Sequence, residues 1–158
     1  MNDQGNGLNL NKYTQVDIVY ELIPHNDLVI DFKRILAIDP LVVYRTRELI
    51  EELRSNQDLL DRLSQQNYGV WPNKPKRDAF FNVKMWAEAQ KNGLNLWRLR
   101  DLSLVEKGLE YRLVYAFLPQ KKQYFVLAIV EKDFDYDTDH PVSRRIFASY
   151  RSLEEFYW

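Results

Sequence analysis

The chain has no cysteine among its 158 residues, only two histidines and only five glycines. Without cysteine there is no disulfide framework, no thiolate metal site and no cysteine nucleophile. The two histidines, His25 and His140, lie far apart in sequence and form neither a His-x-x-x-His nor a Ser-His-Asp pattern. No glycine-rich phosphate loop is present, so we expect no nucleotide cofactor, and nothing in the sequence indicates any other cofactor.

The sequence also lacks long apolar runs. No stretch reaches the ~18 apolar residues that span a bilayer, and the N-terminus lacks the basic start and apolar core of a signal peptide. We therefore expect a cytoplasmic protein with no membrane partner. Apolar residues still make up 46 % of the chain, which is enough for one full core. The sequence predicts a flexible tail at 1–11 and a single domain at 12–158.

The formal net charge is only −1, but the charge is unevenly distributed. Residues 70–122 carry 11 basic and 5 acidic side chains, a net charge of +6, whereas the segments on either side are both acidic. A localised basic region is typical of a surface that contacts phosphate groups.

Hydrophobic periodicity predicts eight elements in the order β-α-α-α-β-β-β-α, which is an α+β fold. They are a strand at Val16–Ile23, a helix at Asn26–Ala37, a helix from Asp39-Pro40 to Tyr68-Gly69, a helix at Ala79–Lys91 capped by Asp78, a three-stranded meander between Leu94 and Asp133, and a last helix capped by Ser143. Leu28-Val29-Ile30 in the first of these helices could also be strand, because the period is ambiguous there. Ser55-Asn56 is an alternative break in the long helix, and the prolines of Trp71–Arg77 mark a connection.

Three arginines fall in the predicted meander. Arg98 and Arg100 are two residues apart, so they share a face of their strand. Arg112 lies near the start of the next strand, close enough in a paired sheet to join them. Converging guanidinium groups can hold a phosphate and neutralise a developing phosphorane. The alternative is a solvated sheet face, or ion pairs with nearby carboxylates, for which the candidates are Glu88, Asp101 and Glu110.

Tyrosines provide a second set of candidates. Tyr111 and Tyr115 lie on a predicted strand, where most tyrosines are core residues with a satisfied hydroxyl. Tyr136 lies instead in a polar loop just after the meander. There it could stack on a base or assist a proton transfer.

Aspartates alternate through that same loop, at Asp133, Asp135, Asp137 and Asp139. The first three match the first half of a calcium-binding loop. Thr138 then stands where such a loop has glycine, and Arg144 stands where it has its bidentate glutamate. We expect a solvated turn whose carboxylates cap the last helix and no metal site, with a metal-dependent enzyme as an alternative.

The order and spacing of these motifs resemble those of the RelE-like toxins of bacterial toxin–antitoxin pairs. In that family two basic residues alternate on the strand before a Tyr-Arg-x-x-Tyr strand, and a hydrophobic strand then leads to a basic residue and a tyrosine. The matching segments, within about residues 94–147, are Trp97-Arg98-Leu99-Arg100, Tyr111-Arg112-Leu113-Val114-Tyr115, and Val126 to Lys132 followed by Tyr136.

The resemblance implies a small α/β sandwich, with a mostly antiparallel sheet, N-terminal helices packed on one side and a C-terminal helix. It implies metal-independent cleavage of mRNA, usually on the ribosome, by attack of a ribose 2′-hydroxyl on the adjacent phosphate, with neutralisation by a small antitoxin protein. By position, Arg98 and Arg100 would bind phosphate and Arg112 would clamp the scissile one. Tyr136 would stack on or deprotonate the nucleophile. Further RNA contacts are expected from Lys107, Tyr111 and Lys132.

A second function remains open for the same fold. A relative that inhibits gyrase, or a degenerate toxin, would be a non-catalytic binding module and would not need converging arginines.

Overall fold

The structure, a computed structural model, describes residues 19–70 and 79–157, with side chains described up to residue 153. The tail predicted at 1–11, the start of the strand predicted at Val16–Ile23 and the connection at Trp71–Arg77 with its following cap Asp78 lie outside the described residues.

The fold is α+β, with one five-stranded mixed sheet between two layers of helices. The strands are β1 (Glu21–Pro24), β2 (Phe81–Met85), β3 (Leu96–Asp101), β4 (Tyr111–Leu118) and β5 (Gln123–Glu131). The helices are α1 (Leu28–Leu36), α2 (Pro40–Arg54), α3 (Gln57–Arg62), α4 (Ala87–Lys91), α5 (Leu102–Glu106) and α6 (Pro141–Tyr157), with a 3-10 turn at Lys132–Phe134. The strand order is β1-β5-β4-β3-β2, and only the β1–β5 pair is parallel.

The predicted meander is confirmed as β3, β4 and β5, since its aliphatic and aromatic residues alternate between the two faces of the sheet. One face of the sheet is covered by the N-terminal helices, and we call it the N-terminal face. There, residues such as Leu99 and Tyr115 pack against α1, α2 and α3. The opposite face carries the C-terminal helix, and we call it the C-terminal face. There, residues such as Leu96 and Val114 pack with α4 and α6. Both faces of the sheet are therefore partly covered by helices, as in a small α/β sandwich.

The two N-terminal helices were predicted at nearly their observed positions because their buried residues recur at helical spacing. Pro40 begins α2, as predicted. The long helix does break at Ser55-Asn56, where the Asn56 Oδ1 accepts the Leu59 N–H at 3.2 Å and caps α3. It ends at Arg62 rather than at Gly69.

The helix predicted at Ala79–Lys91 is wrong in its first half. Phe81 and Val83 are buried in the core of the N-terminal face, and the segment pairs antiparallel with β3 as the edge strand β2. Only Ala87–Lys91 is helical, and Gly93 follows it with a φ of +77°. The helical spacing of the apolar residues was overridden by a tertiary pairing that a local pattern does not contain.

The ends of the chain differ from prediction in smaller ways. β1 is short and includes Pro24, which an edge strand tolerates at its end. Helix α6 begins at Pro141, so Ser143 is not the cap of this helix. The Ser143 Oγ donates instead to the Asp137 carbonyl. Within the part of the chain that the structure describes, we find no helix long and apolar enough to cross a membrane.

Candidate phosphate-binding site

The three arginines lie on one face at one end of the sheet. Arg98 and Arg100 alternate with residues buried on the N-terminal face, so both belong to the C-terminal face. Arg112 is two residues before Val114, which is buried on that same face. Arg98 pairs with Val114 across β3 and β4, and continuing this register places Arg100 opposite Arg112. Cβ atoms of directly opposed residues are about 5 Å apart.

The positive charge of this cluster is poorly compensated. Among the side chains that the structure describes, Arg98 and Arg112 form no ion pair with a carboxylate, and the Arg98 Nη1 donates to the neutral Asn82 Oδ1. The pKa of the Arg98 guanidinium is lowered to about 10, mainly by burial; the charges of Arg100 and Arg112 contribute to this lowering, and the Tyr136 phenol opposes it. A partly buried guanidinium with two like-charged neighbours is stabilised by any anion that enters.

One carboxylate lies at the rim of the cluster. Glu110 Oε2 is 3.0 Å from the Lys132 Nζ, and its Oε1 is 3.8 Å from an Arg100 guanidinium nitrogen. The hydrogen bond and charge of Lys132 lower the pKa of the Glu110 carboxyl, and Arg100 and Arg112 add to this effect. Of the three carboxylates considered as partners, only Glu110 therefore approaches an arginine of the cluster.

The other two carboxylates pair elsewhere. Glu88 pairs with Lys91 on α4 at 3.2 Å. Asp101 accepts a hydrogen bond from the Arg45 Nε at 2.8 Å and caps α5 through the Ser103 N–H. Neither neutralises the arginine cluster.

Tyr136 joins the arginines from the loop that follows the 3-10 turn. Its ring packs edge-to-face against Trp86 and Phe134, with centroids 5.5 and 5.4 Å away. Burial raises the pKa of its phenol to about 12, although Arg112, Arg98 and Arg100 each lower it. The hydroxyl is buried and has no hydrogen-bond partner among the described residues. At neutral pH it is protonated, so it can donate a hydrogen bond but is a poor proton acceptor.

Not every predicted site residue joins this cluster. Tyr111 lies on the N-terminal face, where its hydroxyl donates to Asp39 and its pKa is raised to about 12, mainly by burial. Lys107 is exposed just after α5, and Lys132 is exposed at the rim beside Glu110. The structure thus brings together Arg98, Arg100, Arg112 and Tyr136, keeps Lys132 at the edge and places Tyr111 across the sheet.

Three residues near the cluster were missed because their segment was predicted as helix. Asn82 pairs with Arg100 and Lys84 with Arg98 across β2 and β3. Trp86 contacts the Tyr136 ring, and its buried Nε1 has no partner in the described part of the chain. The alternation of apolar Phe81 and Val83 with polar Asn82 and Lys84 was the available signal for a strand.

The alternating aspartates serve the turn before α6. The Asp137 Oδ1 accepts the Asp139 N–H at 3.0 Å, and the Asp137 carbonyl accepts from Ser143. Among the side chains of residues 19–70 and 79–153, no three from histidine, aspartate or glutamate are grouped so as to hold a metal ion.

Comparison of the chain with protein-family models, curated proteins and solved structures gives no significant match.

Proposed function

We propose that the protein is a RelE-like endoribonuclease whose arginine cluster binds the scissile phosphate of mRNA. The supporting observation is the meeting of Arg98, Arg100 and Arg112 on one face of the sheet beside Tyr136, where only Arg100 approaches a carboxylate among the described side chains. An isolated cluster of this kind is unfavourable, and guanidinium groups are well suited to bind the phosphodiester anion of RNA and the dianionic phosphorane formed from it.

In the proposed reaction the ribose 2′-oxygen attacks the adjacent phosphorus and the bond to the 5′-oxygen breaks. The products are a 2′,3′-cyclic phosphate and a 5′-hydroxyl, and the proton lost by the 2′-hydroxyl is balanced by the one gained at the 5′-oxygen. The arginines stabilise the extra negative charge of the phosphorane. Tyr136, protonated at neutral pH, is suited to donate a hydrogen bond or a proton rather than to deprotonate the nucleophile.

The resemblance supplies the finer parts of the proposal. It predicts cleavage on the ribosome and inhibition by a small antitoxin that covers the basic surface. An adjacent reading frame for a small acidic protein with a helical C-terminus would support the antitoxin.

Replacing Arg112 tests the proposal. Arg112→Ala is expected to reduce cleavage of a reporter mRNA during translation about 10²–10³-fold, as does loss of one donor that stabilises an oxyanion. Arg54→Ala is the matched control, because Arg54 is exposed on α2 and pairs only with Glu51 among the described residues.

Two outcomes would count against this assignment. Equal cleavage by the wild type and Arg112→Ala would show that Arg112 has no catalytic role. No cleavage by the wild type would show that the protein is not an endoribonuclease. Growth arrest that survives the combined loss of Arg98, Arg100 and Arg112 would favour the non-catalytic binding module.

A further inference from the structure

Lys84 extends the cationic surface onto the edge strand β2. It lies directly opposite Arg98 in the antiparallel pairing with β3, so the two side chains leave the same face of the sheet. Its neighbour Val83 is buried in the core of the N-terminal face, which places Lys84 on the C-terminal face by alternation. The Lys84 side chain is exposed and forms no ion pair with any carboxylate that the structure describes.

Asn82 provides a second polar group beside it. Asn82 lies opposite Arg100 and is only 7 % exposed. Its Oδ1 accepts the hydrogen bond from Arg98, while its Nδ2 finds no acceptor among the described residues. An amide Nδ2 is a donor that can bind an anion held beside Lys84.

Lys84 and Arg112 lie at opposite edges of this cationic surface. Neighbouring strands are about 4.8 Å apart and each residue rises about 3.4 Å along a strand, so the backbones at Lys84 and Arg112, two strands apart and two residues out of register, are separated by about 12 Å. Arg98 is partly buried, whereas Lys84 reaches into solvent. An anion bound between the partly buried arginines leaves Lys84 free to bind a second phosphate group of the same ligand.

We infer that Lys84 and Asn82 form a second phosphate-binding position, so that the site takes single-stranded RNA whose successive phosphates lie across β4, β3 and β2. This inference rests on the proposed function, and it identifies the ligand as a polyanion rather than an isolated phosphate or a mononucleotide. Single strands fit because their flexible backbone can cross the sheet.

Salt dependence of RNA binding tests the second position. The probe is a single-stranded RNA with 2′-O-methyl groups, which block the nucleophile, and its affinity is measured by fluorescence anisotropy over a range of salt concentrations. Each phosphate contact on a single strand contributes about −0.7 to the slope of log K against log salt. Lys84→Gln should reduce the slope by about 0.7 and leave the affinity for inorganic phosphate unchanged. Lys33→Gln, the same charge change at an exposed residue of α1, should leave the slope unchanged.

The outcomes separate this inference from the cleavage proposal. Equal slopes for Lys84→Gln and the wild type would overturn it, even if the wild type cleaves mRNA. Equal effects of Lys84→Gln and Lys33→Gln would overturn it by showing a general field effect. Weaker binding of inorganic phosphate to Lys84→Gln would overturn the inference by placing Lys84 in the first phosphate position. No binding of the RNA by the wild type would overturn it as well. A slope that depends on Lys84, with no cleavage of mRNA by the wild type, would support the second phosphate position and contradict the endoribonuclease proposal.

Discussion

Tyr136 is held in a backbone conformation that few tyrosines adopt. Its φ is +55°, and Asp135 before it has a φ of +51°. A residue with a bulky side chain in this region costs on the order of 1–3 kcal/mol, and the buried hydroxyl lacks a partner in the described part of the chain. Packing against Trp86 and Phe134 offsets part of this cost. Such local costs cluster at functional sites, which agrees with the position of Tyr136 beside the arginines.

The raised pKa of Tyr136 predicts a stability loss at alkaline pH. Because the phenol pKa is about 12 in the folded chain against 10.0 for a free tyrosine, the folded state holds this proton more tightly than the unfolded state. Its contribution to stability is fully present below pH 10 and is lost as the pH rises to about 12. In urea unfolding across this window, Tyr136→Phe should lose less stability than the wild type.

Tyr44→Phe is the control for this experiment, because Tyr44 is exposed on α2. Stability curves of Tyr136→Phe and the wild type that fall in parallel would contradict the prediction.

At the scale of elements, β2 presents the second phosphate position and is an edge strand whose outer side is covered. The Val83 N–H donates to the Tyr68 carbonyl at 2.9 Å, and the Asn67 N–H donates to the Val83 carbonyl at 3.0 Å. The Met85 N–H donates to the Gln66 side chain. The segment after α3 therefore satisfies the free edge and blocks pairing with another chain.

Gly69 allows this close approach, and its replacement should weaken the edge. A Cβ at Gly69, where φ is +70°, would lie 2.3 Å from the Phe81 carbonyl oxygen and 3.3 Å from atoms of Asn82. We expect Gly69→Ala to lower the free energy of unfolding by more than about 2 kcal/mol, since steric overlap adds to the backbone strain. The measurement is equilibrium unfolding in urea.

Gly93→Ala separates the two effects. Gly93 has a similar φ of +77°, but a Cβ added there would meet nothing within 4 Å in the described parts of the chain beyond its immediate neighbours. It should therefore lose only about 1 kcal/mol from the conformational strain. Equal losses for the two variants would show that contact with β2 contributes nothing.

At the scale of the whole molecule, Asp31 links both ends of the chain to the sheet. It is fully buried on α1, and its carboxylate accepts two hydrogen bonds from the Arg145 guanidinium of α6 at 3.0 and 2.7 Å. The same carboxylate accepts the Ile129 N–H of β5 at 2.9 Å. β1 stops pairing with β5 at Val126, so Asp31 satisfies a backbone donor that lies beyond the end of that strand.

Removing this carboxylate should destabilise the whole fold. Asp31→Ala leaves Arg145 and the Ile129 N–H without their acceptor, and the loss of one partner of a buried ion pair costs about 3–5 kcal/mol. Urea unfolding checks the value. Asp58→Ala is the matched control, because Asp58 is exposed in the first turn of α3, and it should change stability by less than about 1 kcal/mol, the size of its interaction with the helix dipole. A loss below about 1 kcal/mol for Asp31→Ala, far short of the cost of breaking a buried pair, would contradict the role of Asp31 as the central link.

The parts of the fold that were predicted correctly depend on local patterns. The alternation along the meander and the helical spacing of buried residues in α1 and α2 are present in short stretches of sequence. The shared face of Arg98 and Arg100 follows from the same two-residue period. Their catalytic and RNA-binding roles stay predictions.

The sequence by itself therefore determined the α+β class, the three meander strands and the position of Arg98 and Arg100 on one face of their strand. Only the tertiary structure decided that Phe81–Met85 is a strand, that Lys84 lies opposite Arg98 and that Tyr111 faces away from the cluster. The physical reason is range. Alternation along one strand is set by its own backbone, whereas strand pairing, register and the choice of face depend on contacts between segments far apart in the chain.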